Sequence, residues 1–255
     1  MTSPFVRTPE GHLVCDLGHA VVRFTGRRGG VSDGPYRSLN LGSWGDDDPA
    51  AVHENRAILA GYAGVGPERI AQADQVHGTD VLVMTDDRDL PGTDLAAVRN
   101  ADGVATALAK TPCVVLCADC VPVGLVSPDG VAMVHAGWRG LAGGVLESGL
   151  RALAEATGAG AGSAVDVIAV IGPSAGPCCY EVGAEVHAAL EPWGPDVRVG
   201  DHADLWAAAA ARLRAAGVSR ILTAGECTIC DPDRYFSYRR DAGTTGRQAG
   251  MAWLS

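Results

Sequence analysis

The chain has 255 residues, 47% hydrophobic and 20% charged, which excludes a disordered polypeptide and supplies enough apolar material for a sizeable core. A formal net charge of −10 argues against a nucleic-acid binder, which presents a basic face, and leaves anion recognition to a few well-placed arginines. No apolar run approaches the roughly 20 residues that span a bilayer, and MTSPFVRTPEGHL lacks the basic-then-apolar pattern of a secretory leader, so a cytoplasmic protein with no membrane partner is expected.

In chain order, residues 13–25, LVCDLGHAVVRFT, read as one or two strands with a break at the glycine. PYRSLNLG, 35–42, is too short and polar for a core strand and reads as a shaped loop beside a site. A helix opens near residue 50 and runs to about Tyr62, with Asp48 as N-cap and Pro49 at the first helical position. IAQADQVHGTDVLVM, 70–84, reads as two short strands around a turn at His77-Gly78, followed by an acidic surface segment to residue 99. NADGVAT, 100–106, leads to a short helix and then to a hairpin. The arms of that hairpin, 121–126 and 131–134, are valine-rich, and Ser127-Pro128-Asp129-Gly130 supplies turn chemistry between them. Cys120 and His135 therefore stand at its open end.

Residues 141–157 read as helix, GAGAGSA (158–164) as a flexible connection and 165–171 as a strand. GPSAGPCCY, 172–180, is a turn-rich loop. Helices are expected over 181–190 and 205–216, a strand over 218–224, and a short closing strand at the end of the chain. Strands alternate with helices, yet hairpins also occur. That pattern gives an α/β, mixed α+β class: one domain over 1–255, with mixed β-sheets flanked by helices.

A thiol and an imidazole at one end of a hairpin suit either a metal site or a nucleophile–base pair. Adding His77 gives three ligands for zinc with a fourth position open. Long-range ligand sets have no diagnostic spacing, so a buried structural cysteine with two hydrogen-bonded histidines reads equally well. The eight cysteines are clustered at short spacings and read as free thiols in a reducing compartment. Cys117-x-x-Cys120 and Cys227-x-x-Cys230 would make a four-cysteine zinc site only across a gap far longer than in zinc ribbons. The H-x-E and P-C-x-x-C signature of nucleobase deaminases is absent, as are G-x-x-x-x-G-K-[ST] and a strand-to-helix G-x-G-x-x-G. Oxyanion recognition then falls to Arg56, Arg139 or the glycine-rich loops, against the reading of each arginine as a solvated surface charge.

GVSDGPYRSLNLG, ENR, QVHG, ADG, ADCVPV, HAGWRG, IGPSAGPCCYEVG and FSYRRDAGTTGRQAGMAWL follow one another in this order. Together they resemble the YfiH-type laccase-domain family, whose members are also described as purine nucleoside phosphorylases or polyphenol oxidases; the match runs over about 20–254. The resemblance implies a mixed-sheet α/β domain akin to the bacterial toxin Cys–His hydrolase fold. It implies a catalytic Zn2+ held by His77 of QVHG, Cys120 of ADC and His135 of HAGWRG. It further implies phosphorolysis of adenosine, inosine, guanosine and methylthioadenosine, with adenosine deaminase activity, in a monomer or homodimer whose partners are purine nucleosides and phosphate. Its alternatives are a Cu2+-dependent polyphenol oxidase and a Cys–His amidohydrolase that edits peptidoglycan precursors. Asn40 of SLNLG, Arg56 of ENR and Arg139 of HAGWRG are the expected substrate or phosphate contacts. Several copper centres need many histidines, usually with H-x-H pairs; seven histidines and no H-x-H exclude a true laccase, leaving weak oxidation at one copper. No role is assigned at this point to Cys178, Cys179, Cys227 and Cys230.

Overall fold

The computed structural model describes residues 3–91, 98–159 and 166–255. Among them, two six-stranded sheets carry the fold. The first sheet contains β1 (Val6–Arg7), β2 (Leu13–Asp16), β3 (Ala20–Phe24), β4 (Ala71–Gln72), β7 (Cys113–Cys117) and β14 (Gln248–Leu254), in the order β1-β2-β3-β14-β7-β4. The second contains β5 (Leu82–Met84), β6 (Gly103–Thr106), β8 (Val121–Ser127), β9 (Gly130–Ala136), β10 (Ile168–Ile171) and β13 (Arg220–Thr223), in the order β13-β10-β8-β9-β6-β5. A small ribbon pairs β11 (Arg198–Val199) with β12 (His202–Ala203). The helices are α1 (Pro49–Gly61), α2 (Trp138–Gly143), α3 (Val145–Thr157), α4 (Ala184–Leu190) and α5 (Leu205–Ala215). Most strand pairs are antiparallel, but β4–β7, β5–β6 and β10–β13 are parallel, which is the mixed α+β class expected from the sequence.

Period-two alternation sorts the strand residues into layers. Val114 and Leu116 of β7, with Ala249, Met251 and Trp253 of β14, pack against Leu59 and Ala60 of α1. Their neighbours Cys113, Val115, Cys117 and Ala252 face the other way and meet Val131 and Met133 of β9 and Val170 of β10. On the far face of β9, Ala132, Val134 and Ala136 meet Val145, Leu146 and Leu153 of α3. The order is helix, sheet, sheet, helix. Both faces of the central strands β7, β8, β9, β10 and β14 are buried, so these strands read as nearly continuous apolar runs. At about 1.5–3 kcal/mol for each large apolar side chain fully buried, the stacked layers are the main stabilising term.

Several sequence expectations hold as drawn. Gly18 stands between β2 and β3. The Asp48 carboxylate accepts from the Ala50 amide at 2.9 Å, with Pro49 opening α1. The hairpin β8–β9 pairs Val121 with Ala136 and Ser127 with Gly130. Other expectations are corrected. No helix follows NADGVAT: Gly103–Thr106 is β6, fully buried, and residues 107–112 are irregular. The single helix expected over 141–157 is two. Gly144 has φ +103°, a left-handed conformation that suits glycine and ends α2 before α3 begins. The two strands flanking His77-Gly78 do not pair with each other; β4 lies in the first sheet and β5 in the second. The strand expected from 165 begins at Ile168. Residue 165 itself and most of the GAGAGSA connection lie outside the described residues, as does part of the acidic segment before residue 99. The closing strand is no edge piece: β14 lies between β3 and β7 and pairs with both. Among the described residues no helix is long and apolar enough to cross a membrane.

Candidate metal centre and its cleft

The open end of the β8–β9 hairpin meets the turn that separates β4 from β5. A parallel bridge between Asp74 and Asn100 makes the meeting possible. The Asp74 amide donates to the Arg99 carbonyl at 2.9 Å, and the Ala101 amide to the Asp74 carbonyl at 3.0 Å. This lays QVHG alongside ADG, and the Asp102 carboxylate gathers the turn. It accepts from the backbone amides of Val76 (3.3 Å), His77 (2.9 Å) and Gly78 (2.6 Å), and from Nδ1 of His135 (2.8 Å). Asp102 is fully buried. Burial would raise its carboxyl, but His135 and the Gly78 and His77 amides outweigh that and hold it below the ordinary value. A carboxylate can only accept, so His135 carries a proton on Nδ1 and turns Nε2 toward Cys120 and His77, where it can bind a metal once its own proton is lost. His77 itself sits at φ +59°, a left-handed conformation that the three amide bonds to Asp102 support.

A second buried carboxylate performs the same service for Cys120. Asp119, at φ +96°, accepts from Thr228 Oγ1 (2.6 Å), Ser237 Oγ (3.0 Å) and the Arg239 amide (2.7 Å). It ties the CADC turn to the C-terminal segment. The ligand atoms of His77, Cys120 and His135 lie within 4.8 Å of one another, with Cys120 Sγ 3.8 Å from His77 Nε2. Gly137 permits this packing, since a Cβ there would stand 3.1 Å from His77 Cδ2 and 3.2 Å from Cys120 Sγ. Burial disfavours both charged forms in the pair, yet each is the other's counter-ion. The Cys120 thiol falls to about 6, and the His135 imidazole rises to about 9 with help from Asp102. Two imidazoles and one thiolate, one imidazole fixed in tautomer by a carboxylate, fit a divalent metal with one position open. They fit no cluster of several coppers, because the group contains two histidines.

The three residues line one side of a cleft of about 640 Å³, the size of a small-molecule site. Trp44, Trp138, Tyr180 and Tyr238 supply aromatic surface, and Arg139, Arg239 and Arg247 supply positive charge. Each arginine stacks on a ring: Arg139 on Trp138 at 4.3 Å, Arg239 on Tyr180 at 5.1 Å and Arg247 on Tyr238 at 5.5 Å. Burial and the Cys120 charge push the Tyr180 hydroxyl up to about 12, so it stays protonated as a donor.

Of the six residues singled out from sequence, four come together here: His77, Cys120, His135 and Arg139. Asn40 and Arg56 do not. Asn40 is buried with its amide fully used, donating to Asp47 and the Gly42 carbonyl and accepting from the Gly42 and Arg247 amides. It positions the backbone that carries Arg247. Arg56 donates to the Leu41 carbonyl and to Gln72, and faces a separate cavity of about 220 Å³ beside Pro49 and Ile70. Burial lowers its guanidinium to about 10. The four-cysteine grouping of Cys117, Cys120, Cys227 and Cys230 is not formed either. Cys117 is buried between the sheets, where its thiol is pushed well above the ordinary value, whereas Cys120 points into the cleft.

Sequence reasoning missed Asp102, Asp119, Arg239 and Arg247. Each lay inside a motif already noted. A usable signal existed for the aspartates: ADG and ADC each set one carboxylate within an apolar run, where it needs a partner.

Residues 21–255 match the family described as multi-copper polyphenol oxidoreductase laccase. Purine nucleoside phosphorylase YfiH of Escherichia coli (strain K12) is 40% identical over 237 residues, covering 89% of this chain and 91% of that protein. Purine nucleoside phosphorylase SCO2081 of Streptomyces coelicolor is 43% identical over 246 residues, covering 91% and 94%. The crystal structure of YlmD from Geobacillus stearothermophilus superposes with a TM-score of 0.90 at 34% identity, over 99% of both chains. With motifs, architecture and relatives in agreement over nearly its whole length, the chain belongs to the YfiH-type laccase-domain family.

Proposed function

We propose that this protein is a zinc-dependent purine nucleoside phosphorylase, acting on adenosine, inosine, guanosine and methylthioadenosine, with adenosine deamination as a second activity. The observation that carries the reading is the three-ligand group of His77, Cys120 and His135 facing a cleft that holds both aromatic surface and three arginines. Zinc held by those residues would supply a Lewis-acid charge at the cleft floor. Phosphorolysis requires phosphate at the ribose C1′ as the bond from C1′ to the base nitrogen breaks. Arg139, Arg239 and Arg247 hold the phosphate, and the rings of Trp138, Tyr180 and Tyr238 orient the base and shed water from it. The relatives named as purine nucleoside phosphorylases support this assignment.

Protein of measured metal content, incubated with inosine, is expected to release hypoxanthine only when phosphate is present. Base release that is absent, or equal without phosphate, overturns the assignment. Arg139 makes no side-chain hydrogen bond within the protein among the described residues, so its removal tests the anion site cleanly. Arg139→Ala is expected to raise the KM for phosphate by about 10–100-fold, the loss of one hydrogen bond to a charged group, with the KM for inosine nearly unchanged. An unchanged KM for phosphate places the anion elsewhere.

One observation favours a second reading. Cys120, His135 and Asp102 are arranged as nucleophile, base and orienting carboxylate, which suits a Cys–His amidohydrolase, with peptidoglycan precursors as the substrate proposed for it. Activity that survives chelation, together with covalent trapping of Cys120, selects it over the phosphorylase.

A further inference from the structure

Besides Cys15, Cys113 and Cys117, which are buried in the core, four cysteines remain outside the chemistry above. Cys178 and Cys179 are in the loop after β10, and Cys227 and Cys230 in the loop after β13. The parallel pairing of β10 with β13 continues past the strands as a bridge between Ser174 and Cys227. The Ser174 amide donates to the Glu226 carbonyl at 3.2 Å, and the Thr228 amide to the Ser174 carbonyl at 2.9 Å. Both loops turn at the same level, and their four sulfurs lie within 4.8 Å of one another. Cys230 Sγ is 3.4 Å from Cys178 Sγ and 3.1 Å from Cys179 Sγ, and the Gly176 amide donates to Cys227 Sγ at 3.3 Å.

We propose that Cys178, Cys179, Cys227 and Cys230 form a second metal site, a four-thiolate site for zinc that braces the wall of the cleft. A tetrahedral zinc with bonds of about 2.3 Å sets its sulfurs about 3.8 Å apart, a spacing that small side-chain rotations of this group supply. Cys227-x-x-Cys230 is the short chelating spacing of structural zinc sites. Sulfur alone, with no imidazole or carboxylate, selects a thiophilic ion over magnesium or calcium. Four thiolates this close repel one another and need a cation; on binding, each thiol gives its proton to water. Cys227 is the natural first ligand, because the Gly176 amide already donates to its sulfur and orients it toward the other three.

The site fills all four positions with protein, so its role is structural rather than catalytic. Its loops reach the cleft directly. Tyr180 follows Cys179, and Thr228, between Cys227 and Cys230, donates to the carboxylate of Asp119 behind Cys120.

The test is metal stoichiometry on the full chain, loaded with Zn2+ under reductant, desalted, and measured by elemental analysis and native mass spectrometry. Two zinc ions per chain are expected. The Cys178→Ser/Cys230→Ser double variant should keep one, Cys120→Ser should keep one, and the combination none. Cobalt provides a readout that does not depend on folding of the double variant. Cys120→Ser protein loaded with Co2+ should show strong thiolate-to-cobalt charge-transfer absorption, which in that variant these cysteines must supply. Metal content unchanged by the double substitution, or no such absorption in Cys120→Ser, overturns the proposal. So does a disulfide among these four cysteines in the purified protein, found by alkylation in denaturant without reductant.

Discussion

Cys120→Ser is expected to lower kcat/KM for phosphorolysis of inosine by about 10³-fold, the several kcal/mol of charge stabilisation that a metal centre supplies. The same variant should lose one metal equivalent per chain. The thiol is already poised as an anion, because His135 and His77 face it and draw its titration down to about 6. A serine hydroxyl in the same place stays protonated and leaves the two imidazoles to hold the metal without an anionic ligand beside them. The loss should be confined to the site. The Cys120 sulfur faces the other two members of the group, and the turn around it is held by Asp119, Thr228 and Ser237. Near-native far-UV circular dichroism and a Tm within a few degrees of wild type are therefore expected. Equal metal at this site in both proteins would sink the ligand assignment. Chelation separates the two functional readings, since activity that falls with metal and returns on its addition belongs to the zinc enzyme.

Asp102→Asn should damage both stability and metal binding although it changes one atom. Oδ1 accepts from the His77 amide and from His135 Nδ1, and Oδ2 from the Val76 and Gly78 amides. Asparagine has one accepting oxygen and must aim its NH2 at one of those donor pairs. Facing Val76 and Gly78, it meets two amides and loosens the His77 turn. Facing His135, it forces Nδ1 to accept, so the proton moves to Nε2 and occupies the position a metal would take. Either way the expected cost is about 3 kcal/mol, since a buried charged partner has been removed. For a chain of this size that is a fall in Tm of roughly 6–12 °C. Metal affinity at the His77–Cys120–His135 site should fall about 10–100-fold, as for other partners that orient a ligand. Thermal unfolding and zinc competition titrations measure the two effects separately. A variant with wild-type Tm and affinity would show that Asp102 is not a positioning residue.

Local sequence determined the elements whose causes are local. Asp48-Pro49 starts α1 because capping and a fixed φ act within one turn. The valine arms and the Ser127–Gly130 turn give β8–β9 because register follows from the turn itself. The same hairpin put Cys120 and His135 side by side before any fold was known. Where the sequence reading failed, the deciding contact was distant. NADGVAT forms a strand because Gly103–Thr106 is taken up between β9 and β5, and β14 becomes central because β3 and β7 claim both its edges.

The site divides along the same line. Motif order and residue type identified the family and named His77, Cys120 and His135 as a set. Tertiary structure decided which arginines face the cleft. It turned Asn40 and Arg56 to internal bonds, and brought Arg239 and Arg247 in from the C-terminal segment. It also divided the cysteines, sending Cys15, Cys113 and Cys117 into the layer between the sheets, Cys120 to the histidines, and Cys178, Cys179, Cys227 and Cys230 to one another. A side chain's chemistry is written in its residue type. Its direction is set by which face of which sheet is buried against what, and that depends on contacts between segments far apart in the chain.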